Sequence, residues 1–282
     1  MPVAIVTDST ASLAQSTADG AHITVVPLQI ILGAATHTEG VDVTAEMLAE
    51  ALESFVPVST SRPTPEAFGR AYERAAAQGA SEIVSVHLSS KVSGTFDSAL
   101  LAAKSASIPV TCVDTRQVGI ATGFAALQAA RVRDDGGSAA DVAETARFCG
   151  EGSTSLFYVD TLEYLRRGGR VGAAAALIGS ALAVKPILTV SDGVISPLEK
   201  VRTSNKALAR LEVLAIECAA AFKTGYDIGV QHLANGYVAQ SVAGRLSTTL
   251  SRDDIAVHEV GASIGAHVGP GMVSVTLTPH SG

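Results

Sequence analysis

Short unbroken apolar runs recur through the first half of the chain, each followed by a stretch with helical spacing, and this alternation limits the fold more than any other feature. Ala4–Thr7, Ile23–Leu32, Ile83–Leu88 and Val110–Val113 read as strands. Helices are expected from Thr44, from Thr64 and from Ser93, then over Val118–Ala130 and Ala139–Phe148. Strands that lack polar alternation are buried on both faces, and strands separated by helices pair in parallel. The expectation is an α/β protein whose N-terminal part is a doubly wound, mostly parallel sheet. Thr64-Pro65 places proline at a first helical position, and Ser138 followed by Asp141 has capping-box spacing.

The rhythm changes after Gly136-Gly137, Gly150 and Gly152. A domain boundary is expected near Gly150, giving an N-terminal α/β domain over 1–150 and a C-terminal mixed α/β domain over 151–282. In the second, Leu156–Val159 reads as a strand and the Ala-rich run Val171–Val184 as a buried helix. Ile187–Val190 and Val194–Thr203 flank the turn Ser191-Asp192-Gly193 and read as a β-hairpin. A helix over Ser204–Phe222, a strand Ile228–Leu233, a helix Val238–Leu250 and strands Ile255–Val260 and Met272–Leu277 complete the expected unit.

Composition excludes several classes of function. Across 282 residues, 47% are hydrophobic, ample for a core of this size. Asp and Glu outnumber Lys and Arg by 27 to 20, the wrong balance for phosphate-backbone binding. Cys112, Cys149 and Cys218 form no C-x-x-C pair, which fits a reducing compartment and points to a cytoplasmic protein. The N-terminus has no basic region before its first apolar run, so no secretory signal is expected. The apolar run Val171–Val184 is shorter than the roughly 20 residues that span a bilayer. Aromatics are only 4% and tryptophan is absent, so the interior is built from small aliphatic side chains, a lining that suits an aliphatic ligand.

Three segments place hydroxyls or a histidine where the chain turns at the end of an expected strand or the start of an expected helix, the usual ligand corners of α/β proteins. Val58-Ser59-Thr60-Ser61-Arg62-Pro63-Thr64-Pro65 combines four hydroxyls with two prolines, although helix capping by Thr64 accounts for much of it. Ser89-Ser90-Lys91-Val92-Ser93-Gly94-Thr95 ends a strand and opens a helix, whose free N–H groups favour an anion; Ser93 acting only as a cap is the plainer reading. Gly261 to Gly271 sets His267 among four glycines and a proline. That histidine can serve a carboxylate, an acyl ester or a phosphoryl group, or simply bond a backbone carbonyl.

A hydrolase would pair Ser93 with His267 as nucleophile and base. No G-x-S-x-G elbow supports this, because Lys91 and Thr95 flank Ser93 at the glycine positions. Gly168-Gly169-Arg170-Val171-Gly172 lacks dinucleotide-fingerprint spacing, and Walker loops, H-E-x-x-H and C-x-x-C are absent. Arg166, Arg167, Arg170, Lys185, Lys200, Arg202 and Lys206 concentrate positive charge in a short stretch, as a solvated face or as a docking patch for an acidic partner.

The ordered set Ile5-Val6-Thr7-Asp8-Ser9-Thr10, Thr60-Ser61-Arg62-Pro63, Ser93-Gly94-Thr95-Phe96, Val113-Asp114-Thr115, Leu162 to Arg170, Lys185-Pro186-Ile187-Leu188, Lys200-Val201-Arg202-Thr203 and Gly265 to Gly271 resembles the DegV family. That family includes the fatty-acid-binding subunit of bacterial fatty acid kinase. The resemblance runs nearly end to end and implies a two-domain fold with a long-chain fatty acid between the domains and no covalent cofactor. It implies a carboxylate network of Thr60 and Ser61, of Ser93, Gly94 and Thr95, and of His267. It also implies that the chain is not itself the enzyme. It would present the carboxylate to a separate ATP-dependent kinase and carry the acyl phosphate toward phospholipid synthesis, with transient membrane contact for lipid exchange. Arg170 and Arg202 fall in matched basic motifs that could face the kinase. Arg62, Phe96 and Thr115 stand where the family commonly has Gln, Tyr and Ser, and Arg62 could reach the head group. The alternatives are an acyl-ester or thioester hydrolase using Ser93 and His267, and a carrier or sensor for another acyl anion.

Overall fold

The computed structural model describes residues 3–178 and 185–281. The chain opens with strand β1 (Val3–Asp8), helix α1 (Gln15–Gly20) and strand β2 (Ile23–Val26). It then makes an antiparallel excursion through β3 (Gln29–Leu32), β4 (Ala35–Thr38), α2 (Ala45–Glu53) and β5 (Val58–Ser61). It returns by α3 (Pro65–Ala77), β6 (Glu82–His87), α4 (Thr95–Ala103), β7 (Val110–Asp114), α5 (Ile120–Asp134) and α6 (Ala139–Gly152).

Strands β2-β1-β6-β7 form a wholly parallel sheet with helices on both faces, as the apolar runs predict. Val3, Ile5, Val84 and Val86 pack on Ala125, Ala129, Val142 and Ala146 of α5 and α6. On the opposite face Val6 and Ile83 meet Phe68, Tyr72 and Ala99 of α3 and α4. Alanine at the helix positions lets the helices lie close to the sheet.

Ile23–Leu32 is not one strand. Pro27 has no N–H to continue the ladder, and Leu28 N–H donates to Ser9 Oγ at 2.9 Å instead. The chain therefore leaves the parallel sheet at this point, and β3 becomes the centre of a separate antiparallel sheet of order β4-β3-β5. Its residue Ile30, with Leu48 and Leu52 of α2, shares a core with Phe157, Leu165, Leu188 and Val268 from the second half of the chain.

The second half contains β8 (Thr154–Tyr158), α7 (Glu163–Arg167), β9 (Lys185–Ser191), β10 (Val194–Val201), α8 (Ser204–Ala221), β11 (Tyr226–His232), α9 (Gly236–Leu250), β12 (Ala256–Glu259), α10 (Ala262–Val268) and β13 (Val273–Pro279). These strands form a mixed sheet of order β10-β9-β8-β13-β11-β12, antiparallel except between β11 and β12. The β9–β10 hairpin turns where expected, with Asp192 and Gly193 both at positive φ. The buried helix expected over Val171–Val184 is instead a 3-10 helix at Gly172–Leu177 with only Ala174 and Leu177 buried, ended by extended backbone at Ile178; residues 179–184 lie outside the described residues. Among the described residues no helix is long and apolar enough to cross a membrane.

Strand β13 links the fold to the site. Val273, Val275 and Leu277 pack against Leu211, Ala215, Val242 and Leu246 of α8 and α9. Ser274, Thr276 and Thr278 take the alternate positions, where a two-residue period would place them in water, yet all three are buried.

Candidate ligand-binding cavity

The hydroxyl-bearing face of the six-stranded sheet forms the floor of a cavity lined from both halves of the chain. Leu28, Leu88 and Val118 line it from the first half of the chain, and Phe157, Leu165, Ile195, Val260 and Met272 from the second. Ser155, Gln231, Ser274 and Thr276 make the floor, while Thr60, Ser93, Arg170 and His267 also belong to the wall. Thr60, Arg170 and His267 additionally line an outer groove with Phe55, Val56, Tyr164 and Arg167. They therefore stand between the apolar interior and the surface. Phe55 is 80% exposed beside this mouth.

Each mouth residue is placed by local structure. The chain expected as a loop at Ser59–Ser61 is the strand β5, whose alternation turns Thr60 inward and Ser61 to solvent. Ser61 Oγ donates to the carbonyl of Arg62 at 3.4 Å and does not line the cavity. His267 lies in the last turn of α10, a helix without sequence signature because its alanines and glycines carry no amphipathic pattern. Gly269, at φ 77°, ends that helix. Glu39 fixes the other end: its Oε1 accepts from Ser263 N–H at 2.7 Å and Ser263 Oγ at 2.9 Å, and its Oε2 accepts from Ser9 Oγ. A carboxylate at a helix N-terminus is favourable, although burial raises the Glu39 pKa above its ordinary value.

Thr60 Oγ1 and His267 Nε2 are 3.0 Å apart. His267 Nδ1 has no partner among the described residues, and the ring lies so close to Gly168 that a Cβ there would overlap it. Burial, with the Arg170 guanidinium adding to it, pushes the His267 pKa down to about 4. The imidazole is thus neutral near pH 7. Arg170 Nε donates to Val92 O at 3.1 Å, and its Nη1 donates to Gly168 O, tying the loop before α4 to the loop after α7. Among the described residues no carboxylate pairs with Arg170.

Ser93 Oγ lies 2.9 Å from Thr95 Oγ1 and accepts from Thr95 N–H at 3.3 Å. Thr95 is fully buried behind it, and Gly94 is the N-cap of α4. Neither Gly94 nor Thr95 lines the cavity. Arg62 Nη1 donates to Gly94 O at 3.3 Å, and a Cβ at position 94 would overlap its guanidinium. Arg62 thus packs over the start of α4, outside the cavity. Arg202 is exposed on the bend after β10 and lines neither the cavity nor the groove.

The Ser93–His267 hydrolase constellation is not assembled: His267 bonds Thr60, and Ser93 bonds Thr95. A Ser–His–Asp order does occur elsewhere. Asp8 Oδ2 is 2.7 Å from His87 Nδ1, Ser85 Oγ is 2.7 Å from His87 Nε2, and Tyr72 Oη covers Ser85 at 2.9 Å. Asp8, Ser85 and His87 are fully buried between β1 and β6 with no access for a substrate, so this row braces the parallel sheet. Its sequence signal is the alternation of Ser85 and His87 within the otherwise apolar run Ile83–Leu88.

Fold and cavity together define an α/β protein in which a parallel and a mixed sheet, joined by a small antiparallel one, enclose a largely aliphatic chamber with a polar mouth. The family description "Uncharacterised protein, DegV family" matches residues 2–280, and this chain belongs to the DegV family, as its motifs imply. It is 49% identical over 277 residues to a DegV domain-containing protein of Streptomyces coelicolor, covering 98% of each chain. The fold is similar to that of a DegV family protein from Thermus thermophilus described for its fatty acid binding, with a TM-score of 0.92 and 30% identity over 99% of this chain and 100% of that one. It is equally similar to DegV, a fatty acid binding protein from Bacillus subtilis, with a TM-score of 0.91 and 32% identity over 99% of both.

Proposed function

We propose that this chain is a cytoplasmic carrier that binds a long-chain fatty acid in the cavity, with the carboxylate at Thr60, Ser93, Arg170 and His267. The observation that carries this reading is the double position of Thr60, Arg170 and His267, which belong at once to the aliphatic chamber and to the groove outside it. An amphiphile with one polar end fits that arrangement. Each buried CH₂ contributes about 0.8 kcal/mol, so a long acyl chain supplies on the order of 10 kcal/mol before association costs. The carboxylate would accept from the Thr60 and Ser93 hydroxyls and from Arg170, and its charge would favour protonation of His267.

In this reading the ligand lies between domains of residues 1–150 and 151–282, with the three-stranded sheet docked on the second. The carboxylate end faces the groove, where a partner ATP-dependent fatty acid kinase would transfer a phosphoryl group to it, and the acyl phosphate would pass to phospholipid synthesis. Arg62 and Arg202, both exposed, would face that partner rather than the head group. Phe55 at the mouth supports brief contact with a membrane during lipid exchange.

The test is denaturing extraction of protein purified from a bacterial host, with mass spectrometry of the released lipid. A long-chain fatty acid in near-stoichiometric amount is expected, and Ser93→Ala and His267→Ala should carry much less. An empty wild-type protein that also fails to take up added fatty acid would overturn the reading.

A further inference from the structure

The floor of the cavity holds a donor that a plain acyl chain leaves unused. Gln231, on β11, is 3% exposed and lines the cavity, and among the described residues its Nε2 has no hydrogen-bond partner. The orientation of its amide is fixed by chemistry. Ile120 N–H lies 3.1 Å from Oε1 and can only donate, so the oxygen must face Ile120 and the NH₂ must face away. The surrounding floor is polar by register: Gln231 pairs with Ser274 across β11 and β13, and Thr276 pairs with Ser155 across β13 and β8. Ser155 Oγ donates to Gln117 Oε1 at 2.9 Å, so its proton is already committed.

Buried amide donors without a partner cost about 1–3 kcal/mol, and aliphatic ligands cannot offset this. A wholly hydrocarbon tail would be served better by Val or Leu at all four floor positions, as on the opposite face of β13. We propose that the floor is a second recognition point, where Gln231 Nε2 donates to one oxygen, a hydroxyl or keto group, carried part-way along the acyl chain. The inference rests on the fatty-acid reading above and narrows its ligand class to singly oxygenated acyl chains.

The experiment is competition of stearic acid and a positional series of its hydroxy and keto derivatives against a fluorescent fatty acid on the full chain. One narrow range of positions should bind about 5–10-fold more tightly than stearic acid, the effect of one added hydrogen bond. Gln231→Met, similar in length without the amide, should abolish that preference, bringing the preferred derivative level with or below stearic acid on the same variant. A second readout needs no variant: the ¹³C resonance of a labelled keto carbon at the preferred position should move on binding to the value of a hydrogen-bonded ketone. If every derivative binds more weakly than stearic acid, if the preference survives Gln231→Met, or if the labelled carbon does not move, the inference is overturned. Failure of stearic acid itself to bind would instead remove the fatty-acid reading, and this inference with it.

Discussion

The two larger sheets bury similar strands by opposite means. The parallel sheet is largely apolar on both faces, the Asp8–His87–Ser85 row apart, and is covered by helices on both, with Ile5 turned to α5 and α6 and Ile83 to α3 and α4. The six-stranded sheet is apolar only toward α8 and α9, and its other face presents Ser155, Gln231, Ser274 and Thr276 to the cavity. Polar alternation in a buried strand thus has a second meaning besides solvent exposure. On the six-stranded sheet it marks the side that faces a cavity rather than a helix, whereas on β6 it marks the Asp8–His87–Ser85 row.

The contrast can be broken most directly by truncation. Ile5→Ala and Ile83→Ala should each destabilise by about 3 kcal/mol in urea unfolding, and Leu277→Ala by a similar amount, since all three leave cavities in packed cores. Thr276→Val, on the cavity face, should cost less than about 1 kcal/mol. Equal losses for Leu277→Ala and Thr276→Val would mean that the two faces of β13 are packed alike.

A pH titration comes next in size. The His267 pKa is held near 4 in the folded chain against an ordinary 6.5, so the unfolded chain binds the extra proton first. Stability should therefore fall as pH drops from about 6.5 to about 4, by on the order of 3 kcal/mol for this group. His267→Gln should flatten that part of the profile, and bound fatty acid should flatten it too by raising the histidine pKa. An unchanged slope in His267→Gln would show that the ring is solvated.

Thr60→Val should weaken fatty-acid binding about 5–10-fold, the loss of one hydrogen bond to a charged acceptor. Ser61→Ala, on the solvent side of the same strand, should leave binding within about 2-fold. Calorimetry on the two variants compares adjacent residues that differ mainly in which side of β5 they occupy, and equal losses would refute the inward assignment of Thr60.

Most of the parallel sheet was legible because uninterrupted apolar runs such as Val3–Val6 have one physical solution, burial on both faces. The excursion β3–β5 was not, because each strand is four residues long and Val58–Ser61 is rich in hydroxyls. Thr60, Ser93 and His267 could be read from glycine-, proline- and hydroxyl-rich junctions. Glu39 could not: it is one acid before a glycine, and its role depends on Ser9 and Ser263, which are distant in sequence. Gln231 was equally silent inside an apolar strand.

The detour that begins at Pro27 has a mechanical consequence. Because Ile30 and its sheet share a core with Phe157 and Val268, the strand that carries Thr60 is fastened to the body that carries His267, whereas Ser93 follows β6, an interior strand of the parallel sheet, and its loop is held to the other body by the Arg170–Val92 bond. If the protein opens along the boundary between the two large sheets, Thr60 and His267 travel together as a rigid pair and Ser93 parts from them. Spin labels on either side of that boundary would register the separation, and a fixed Ser93-to-His267 distance throughout ligand release would contradict it. Release would then begin with the carboxylate losing the grip of one hydroxyl while two of its contacts stay in place.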